Sequence, residues 1–138
     1  MKITIKAALE MLQAIGQLDG YQNGTDKLTL YKYPGDVRLK IAMARRKLRA
    51  VEEDYREARN QMIMELTDGI GALPALGPQS TKEDLAKSFE FSRRDREMLK
   101  EEVSLDIDAI PAASFNLDEN PIPPTVLDLL GDFIEATQ

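Results

Sequence analysis

Apolar and small side chains recur every three or four residues through the middle of the chain, which is the period of one helix face. The run begins at Val37, ends at Leu66 and contains no Gly or Pro. Its intermediate members are Ile41, Ala44, Leu48, Val51, Tyr55, Ala58 and Met62. The spacing holds for about seven turns and predicts one long helix, with Asp36 as its N-cap. A seam of this length requires a long helical partner.

A second helix with its own seam follows an irregular connection that is rich in Gly and Pro. Ser80 is the predicted N-cap, and Glu83 completes a capping box. The seam consists of Leu85, Phe89, Ser92, Arg96, Leu99 and Val103. Folding this helix back onto the first predicts an antiparallel hairpin over residues 36–102. The expected facing pairs are Met62–Phe89, Tyr55–Arg96 and Ala58–Ser92.

The first 35 residues are predicted to hold a helix and then an extended segment. Ile5, Leu9 and Leu12 follow the helical period, and Thr4 is available as the N-cap. The residues just before that helix also alternate between apolar and polar, so a short strand there is equally compatible. Residues 27–33 alternate and are rich in strand-forming residues, which predicts a short strand.

Beyond the hairpin the apolar period changes to two. Val103, Leu105 and Ile107 alternate with polar residues and predict a half-buried strand, which we expect to pair with residues 27–33. A proline-rich link then leads to a last amphipathic helix. The expected buried face of that helix is Val126, Leu127, Leu130, Phe133 and Ile134.

These elements together predict a mainly α-helical fold. It consists of a long antiparallel helical hairpin with flanking N- and C-terminal helices, and it leaves room for a small two-stranded β element. A chain of 138 residues is expected to form one domain, 1–138. Its parts are an N-terminal helix and extended segment (1–35), the hairpin (36–102), and an acidic extended segment with the C-terminal helix (103–138).

The amino-acid composition limits the kinds of chemistry that the chain can perform. The chain contains no Cys and no His, which excludes disulfides and thiolate metal sites and removes the usual general base at neutral pH. No nucleophile–base pair or glycine-rich phosphate loop is present, so we expect a non-enzyme without a cofactor. No run approaches the ~20 apolar residues of a membrane span. The N-terminus lacks a signal-peptide core, and we expect an intracellular protein.

Charge is distributed unevenly. The net charge is −6, yet all 18 Lys and Arg precede residue 101, and the nine acidic residues from Glu101 onward are accompanied by no base. The candidate partner-binding residues in this region are Asp106, Asp108, Asp118 and Glu119. Three interpretations remain open: the acidic region folds back onto the basic body, docks a basic protein, or imitates nucleic-acid phosphates.

Two further sites are weighed against simpler explanations. Asp106 and Asp108 share one side of the predicted strand, as a Mg²⁺ site would require, but no third carboxylate or acidic glycine loop supports them, so no metal is expected. The basic run Arg45-Arg46-Lys47 spreads around the helix axis and lacks interleaved aromatics. It therefore favours a solvated or internally neutralised surface, and no direct nucleic-acid binding is expected.

Several elements of this layout occur together in a known setting. They are a Leu-rich helix over residues 1–18, the Tyr33-Pro34-Gly35 turn, the long helix over 37–66, the acidic segment 102–107, and the proline-rich link into residues 122–130. The layout resembles small helical proteins of unknown function encoded by tailed bacteriophages and prophages. The resemblance covers nearly the whole chain and implies a phage origin, with no residue-level function attached.

The expected function is therefore binding of another protein by a non-enzymatic phage-type protein, in a virion, assembly or accessory role. The alternative is an inhibitor of a host defence or nucleic-acid-handling complex that acts through the acidic C-terminal region. A Mg²⁺-dependent nuclease using Asp106 and Asp108 is the third and least favoured class. The expected location is the cytoplasm of the bacterial host or the virion, and the oligomeric state stays open.

Overall fold

The computed structural model describes residues 1–22, 24 and 27–135. Its helices are α1 (Ile5–Gly16), α2 (Gly35–Leu66), α3 (Lys82–Leu99) and α4 (Pro124–Leu130), with short 3-10 helices at Ala112–Phe115 and Gly131–Phe133. Its strands are β1 (Lys2–Thr4), β2 (Gly20–Gln22), β3 (Leu28–Leu30), β4 (Glu102–Ser104), β5 (Ile110–Pro111) and β6 (Ile134–Glu135). The prediction of a mainly α-helical fold with a small β element is confirmed.

The N-terminus contains both the short strand and the helix that its sequence allows. Residues of β1 alternate as a strand, and Thr4 then caps α1 by accepting a hydrogen bond from the Ala7 amide at 3.1 Å. β1 pairs antiparallel with β4, with Ile3 opposite Val103. The expected pairing of the Val103 strand with residues 27–33 is therefore wrong. The chain start extends the β1–β4 pairing, because the Met1 ammonium donates to the Leu105 carbonyl at 2.7 Å.

Residues 27–33 form a strand over only part of their length. Leu28–Leu30 is β3, and it pairs antiparallel with β2 as a local hairpin. A local partner, a few residues away in the chain, costs less loop-closure entropy than a distant one.

The long helix α2 has two halves with different surroundings. Val37, Ile41, Ala44 and Leu48 are buried, and this N-terminal half packs against α1. From Val51 onward the seam residues are only partly buried, and this half of the helix packs against α3. The helix begins at Gly35 with no side-chain cap, so the expected role of Asp36 as N-cap is wrong; Asp36 lies in the first turn.

α3 runs antiparallel to α2 in the expected axial register, but a different face points inward. The Tyr55 hydroxyl donates to Asp95 Oδ1 at 2.6 Å, and the Arg59 guanidinium lies 5.0 Å from the centre of the Phe91 ring. Phe91 is buried, whereas Phe89 is 73% exposed. The predicted pairs Met62–Phe89, Tyr55–Arg96 and Ala58–Ser92 are consequently wrong: Phe89, Ser92 and Arg96 all face solvent.

The start of α3 also differs from the prediction, by one residue. Thr81, not Ser80, is the N-cap: its hydroxyl accepts from the Asp84 amide at 3.1 Å, and Asp84 Oδ2 accepts from the Thr81 amide at 3.2 Å. Asp84 therefore replaces Glu83 in the capping box. With this face inward, Asp95 pairs with the Tyr55 hydroxyl and the Arg59 guanidinium. An inward Arg96 would instead lose its hydration.

The C-terminal region completes the core. Phe115, Leu130 and Phe133 are fully buried, and α4 packs against α1. On the predicted face of the last helix, Val126, Leu130 and Phe133 are buried while Leu127 and Ile134 stay partly exposed. β5 and β6 pair in parallel, with Ile110 opposite Ile134 and Pro111 opposite Glu135. Among the described residues, no helix is both long and apolar enough to cross a lipid bilayer.

Candidate protein-binding groove

The structure divides the four candidate acidic residues into two pairs. Asp106 and Asp108 line a depression together with Lys40, Met43 and Lys47. Lys47 Nζ donates to the Asp106 backbone carbonyl and lies 3.6 Å from its Oδ2, although the Asp106 side chain is 97% exposed. This pair thus faces basic residues of the body, as the fold-back interpretation expects.

Asp118 and Glu119 lie elsewhere, on a turn that follows the first 3-10 helix. The amides of Glu119 and Asn120 donate to the Asn116 carbonyl at 3.0 and 2.8 Å. Asn116 adopts a left-handed conformation with φ +49°, which Asn tolerates better than most residues. Both carboxylates are exposed and border a depression that contains Leu117.

An apolar groove adjoins this turn, and we call it the C-terminal groove. It has a volume of about 440 Å³ and is lined by Ala112, Phe115, Leu117, Leu127, Asp128, Gly131 and Ile134. Leu117 is 44% exposed and borders both the groove and the depression beside Asp118 and Glu119. The groove thus combines an apolar lining with carboxylates at its edge, and an apolar pocket with a few polar groups is the usual composition of a ligand-binding site.

The backbone of the groove depends on one glycine. Gly131 follows α4 with φ +52° and ψ −123°, a conformation that is strained for residues with a side chain. This turn redirects the chain from α4 into the second 3-10 helix and β6. It thereby brings Ile134 into the same groove as Leu127.

A buried side chain attaches the groove to the rest of the molecule. Asn120 is almost fully buried. Its Oδ1 accepts from the Lys32 amide, and its Nδ2 donates to the carbonyls of Lys32 and Phe115, each at 2.8 Å. The Tyr31 hydroxyl adds a bond to the Pro121 carbonyl at 3.1 Å. These bonds hold the floor of the groove in a fixed position, so little ordering entropy is lost on binding.

An aromatic contact also supports Phe115, which lines the C-terminal groove. The Tyr33 and Phe115 rings meet edge to face with centres 6.2 Å apart, and the Tyr33 hydroxyl donates to the Leu18 carbonyl at 2.9 Å. Burial, reinforced by Tyr31 and Asp19, raises the pKa of Tyr33. The hydroxyl therefore remains a donor across the physiological pH range.

The electrostatic character of the groove is uniformly negative. Asp118, Glu119 and Asp128 are exposed, and within the described ranges none of them forms an ion pair. In contrast, two members of the basic run are neutralised internally: Arg45 pairs with Asp19 at 2.9 Å, and Lys47 pairs with Asp106. The expectation of a neutralised basic run is confirmed for these two residues.

Metal chemistry finds no support in this arrangement. In the part of the chain that the structure describes, no three Asp or Glu side chains come together as metal ligands. The pair Asp106 and Asp108 therefore has no third carboxylate beside it in the described residues.

Sequence patterns identified the acidic edge of the groove but not the groove itself. Leu117 is a single apolar residue between polar neighbours, so no periodicity marks it. Its proximity to Leu127 and Ile134 results from the parallel pairing of β5 and β6, a long-range contact. The available signal is the charge asymmetry after residue 100, which indicates the carboxylates but not an apolar groove beside them.

The fold and the groove together define a small, mainly α-helical protein with a helical hairpin and an acidic, partly apolar C-terminal surface. Comparison with known proteins gives no family: no protein-family model, curated protein or solved structure matches the chain.

Proposed function

We propose that this chain is a non-enzymatic accessory or assembly protein of a tailed phage, which acts by binding another protein molecule in the C-terminal groove. The observation that carries the proposal is the combination of exposed Leu117 with neighbouring charged residues, Asp118, Glu119 and Asp128, that are all acidic. The resemblance in layout supports the phage setting. The cytoplasm of the bacterial host, or the virion, is the corresponding location.

The chemistry of the groove defines its partner. Its lining accepts a large apolar side chain, and Asp118, Glu119 and Asp128 favour Lys or Arg on either side of that anchor. A helix or extended segment with a central apolar residue flanked by basic residues meets both requirements. Full burial of a Leu is worth about 1.5–3 kcal/mol, and the half-exposed Leu117 leaves roughly half of that for binding.

The inhibitor hypothesis is less well supported. An imitation of nucleic-acid phosphates needs carboxylates in a continuous row. Asp106 and Asp108 instead line a depression with Lys40 and Lys47, separate from the one beside Asp118. A host protein with a basic apolar segment would nevertheless fit the same groove, so an inhibitor would act as a protein ligand.

The proposal is tested by affinity capture from phage-producing cells. Tagged wild-type chain is compared with Leu117→Ser and with the control Asp106→Asn/Asp108→Asn, after thermal melting has shown that all three fold. We expect one protein at a stoichiometric level with the wild type and the control. Leu117→Ser should weaken its binding about tenfold, which is about 1.4 kcal/mol. Equal capture by Leu117→Ser would contradict a role for the groove.

A further inference from the structure

The outer face of α3 carries two large apolar residues that the described chain leaves exposed. This face consists of Lys82, Leu85, Phe89, Ser92 and Arg96, spaced three and four residues apart. All five side chains are exposed, Leu85 by 39% and Phe89 by 73%. Two large apolar residues at i and i+4 on a helix form a single surface patch.

The charges around this patch are positive and available. Lys82 and Arg96 form no ion pair within the described residues, and Arg96 Nε donates only to the Ser92 carbonyl, at 3.3 Å. The neighbouring arginines differ. Arg93 and Arg94 are held by Glu90, and their hydrogen bonds lower the pKa of that carboxyl to about 2.

This surface matches the partner that the C-terminal groove requires. Phe89 supplies a large apolar anchor, and Lys82 and Arg96 supply positive charges on either side of it along the helix. The groove supplies an apolar lining with carboxylates at its edge. Complementary charge around a central aromatic anchor is the usual composition of a specific protein interface.

The two surfaces cannot meet within one molecule. The contacts Tyr55–Asp95 and Arg59–Phe91 place Phe89 opposite about residue 61 of α2. That point lies about 13 residues beyond Leu48, the last buried residue of α2, which is ~20 Å along a continuous helix. The groove belongs to the opposite part of the molecule, where α4 packs against α1. Any contact between them therefore joins two copies.

We propose that the outer face of α3 docks in the C-terminal groove of a second copy, so that the protein self-associates head to tail. This inference rests on the proposed function, because it names a second copy as the partner of that groove. The contact is heterologous, so each copy offers a free face and a free groove, and association continues into an open chain or a ring. One helix face in one groove is a small interface, and its formation depends on protein concentration.

Sedimentation velocity at increasing protein concentration, up to about 1 mM, tests the inference. The variants are Phe89→Ser, which removes the anchor, and Leu117→Ser, which alters the groove; Leu39→Ser, at another exposed apolar position, is the control. We expect the average mass of the wild type and of Leu39→Ser to rise with concentration and to fall with added salt. Each of the other two variants alone should stay monomeric.

The decisive sample is the equimolar mixture of Phe89→Ser and Leu117→Ser. One intact face and one intact groove remain in it, so a 1:1 complex should form and grow no further. A monomeric wild type, a mixture that stays monomeric, or association lost only with Phe89→Ser would each overturn head-to-tail docking. Groove-dependent capture of a different protein by a monomeric wild type would overturn self-association alone. Capture that ignores Leu117→Ser would overturn the proposed function.

Discussion

Asn120 offers the sharpest test of how the groove is held in place. Replacing it by Ala removes three hydrogen bonds of 2.8 Å, two to the Lys32 backbone and one to the Phe115 carbonyl. A buried hydrogen bond contributes about 1 kcal/mol net, and a polar group left unpaired costs about 1–3 kcal/mol. Because Lys32 is exposed and water can reach its backbone, we expect the free energy of unfolding to fall by about 3 kcal/mol.

Urea denaturation followed by circular dichroism measures this loss directly. For a chain of this length we expect the melting temperature to fall by about 10 °C. Asn60→Ala is the matched control: Asn60 is exposed on α2, and Ala is the better helix former, so stability should change by less than about 0.5 kcal/mol. An Asn120→Ala variant as stable as the wild type would refute the structural role of this side chain.

A second substitution tests the direction of the same bonds. Asn120→Asp places a carboxylate oxygen against the two carbonyls that now accept from Nδ2. Burial and these carbonyls both disfavour the charged form, so the folded-state pKa should rise above the unfolded value of about 3.9. The stability deficit relative to wild type should therefore grow as pH rises and shrink on acidification. A deficit independent of pH would contradict the placement of this side chain against the two carbonyls.

Three more predictions concern the hairpin. Phe91→Ala should lower the free energy of unfolding by about 3 kcal/mol, whereas Phe89→Ala should change it by less than about 0.5 kcal/mol; equal losses in denaturant melts would mean that α3 has the other face inward. Thr81→Ala should cost about 1 kcal/mol in the same melts, and Ser80→Ala less, because only the Thr81 side chain caps the helix. Burial and a hydrogen bond to a carboxylate raise the pKa of Tyr55 to about 12. The stability that the Tyr55 hydroxyl provides should therefore be lost as pH rises from about 10 to 12. A Tyr55→Phe variant whose alkaline unfolding matches that of the wild type would count against this.

The long helix could be predicted because its apolar period is uninterrupted over 30 residues, and the structure extends it by only two residues. The face of α3 could not, because Phe89 and Phe91 each anchor a plausible seam. The choice depends on α2: Arg59 lies over the Phe91 ring, and Tyr55 donates to Asp95. A pattern of apolar and polar positions does not show which polar side chains will pair between two helices.

The strand partners and the groove could not be predicted either, because both depend on contacts between distant parts of the sequence. The pairing of β4 with β1 joins residues about 100 positions apart, and alternation identifies a strand without identifying its neighbour. The candidate acids Asp118 and Glu119 were found because charge asymmetry is local to the sequence. Leu117, the apolar residue just before them in the sequence, becomes part of a groove only because the fold brings it beside Leu127 and Ile134.

The central claim is that another protein molecule occupies the C-terminal groove. Site-specific photo-crosslinking tests it most directly, with a photoreactive amino acid introduced at Leu117 and, as the control, at exposed Asn60 on α2. In cells that produce the protein naturally, illumination should give a discrete covalent adduct from position 117 and none from position 60. An adduct with the mass of two chains would identify the partner as a second copy. No adduct from position 117, or equal adducts from both positions, would contradict the claim.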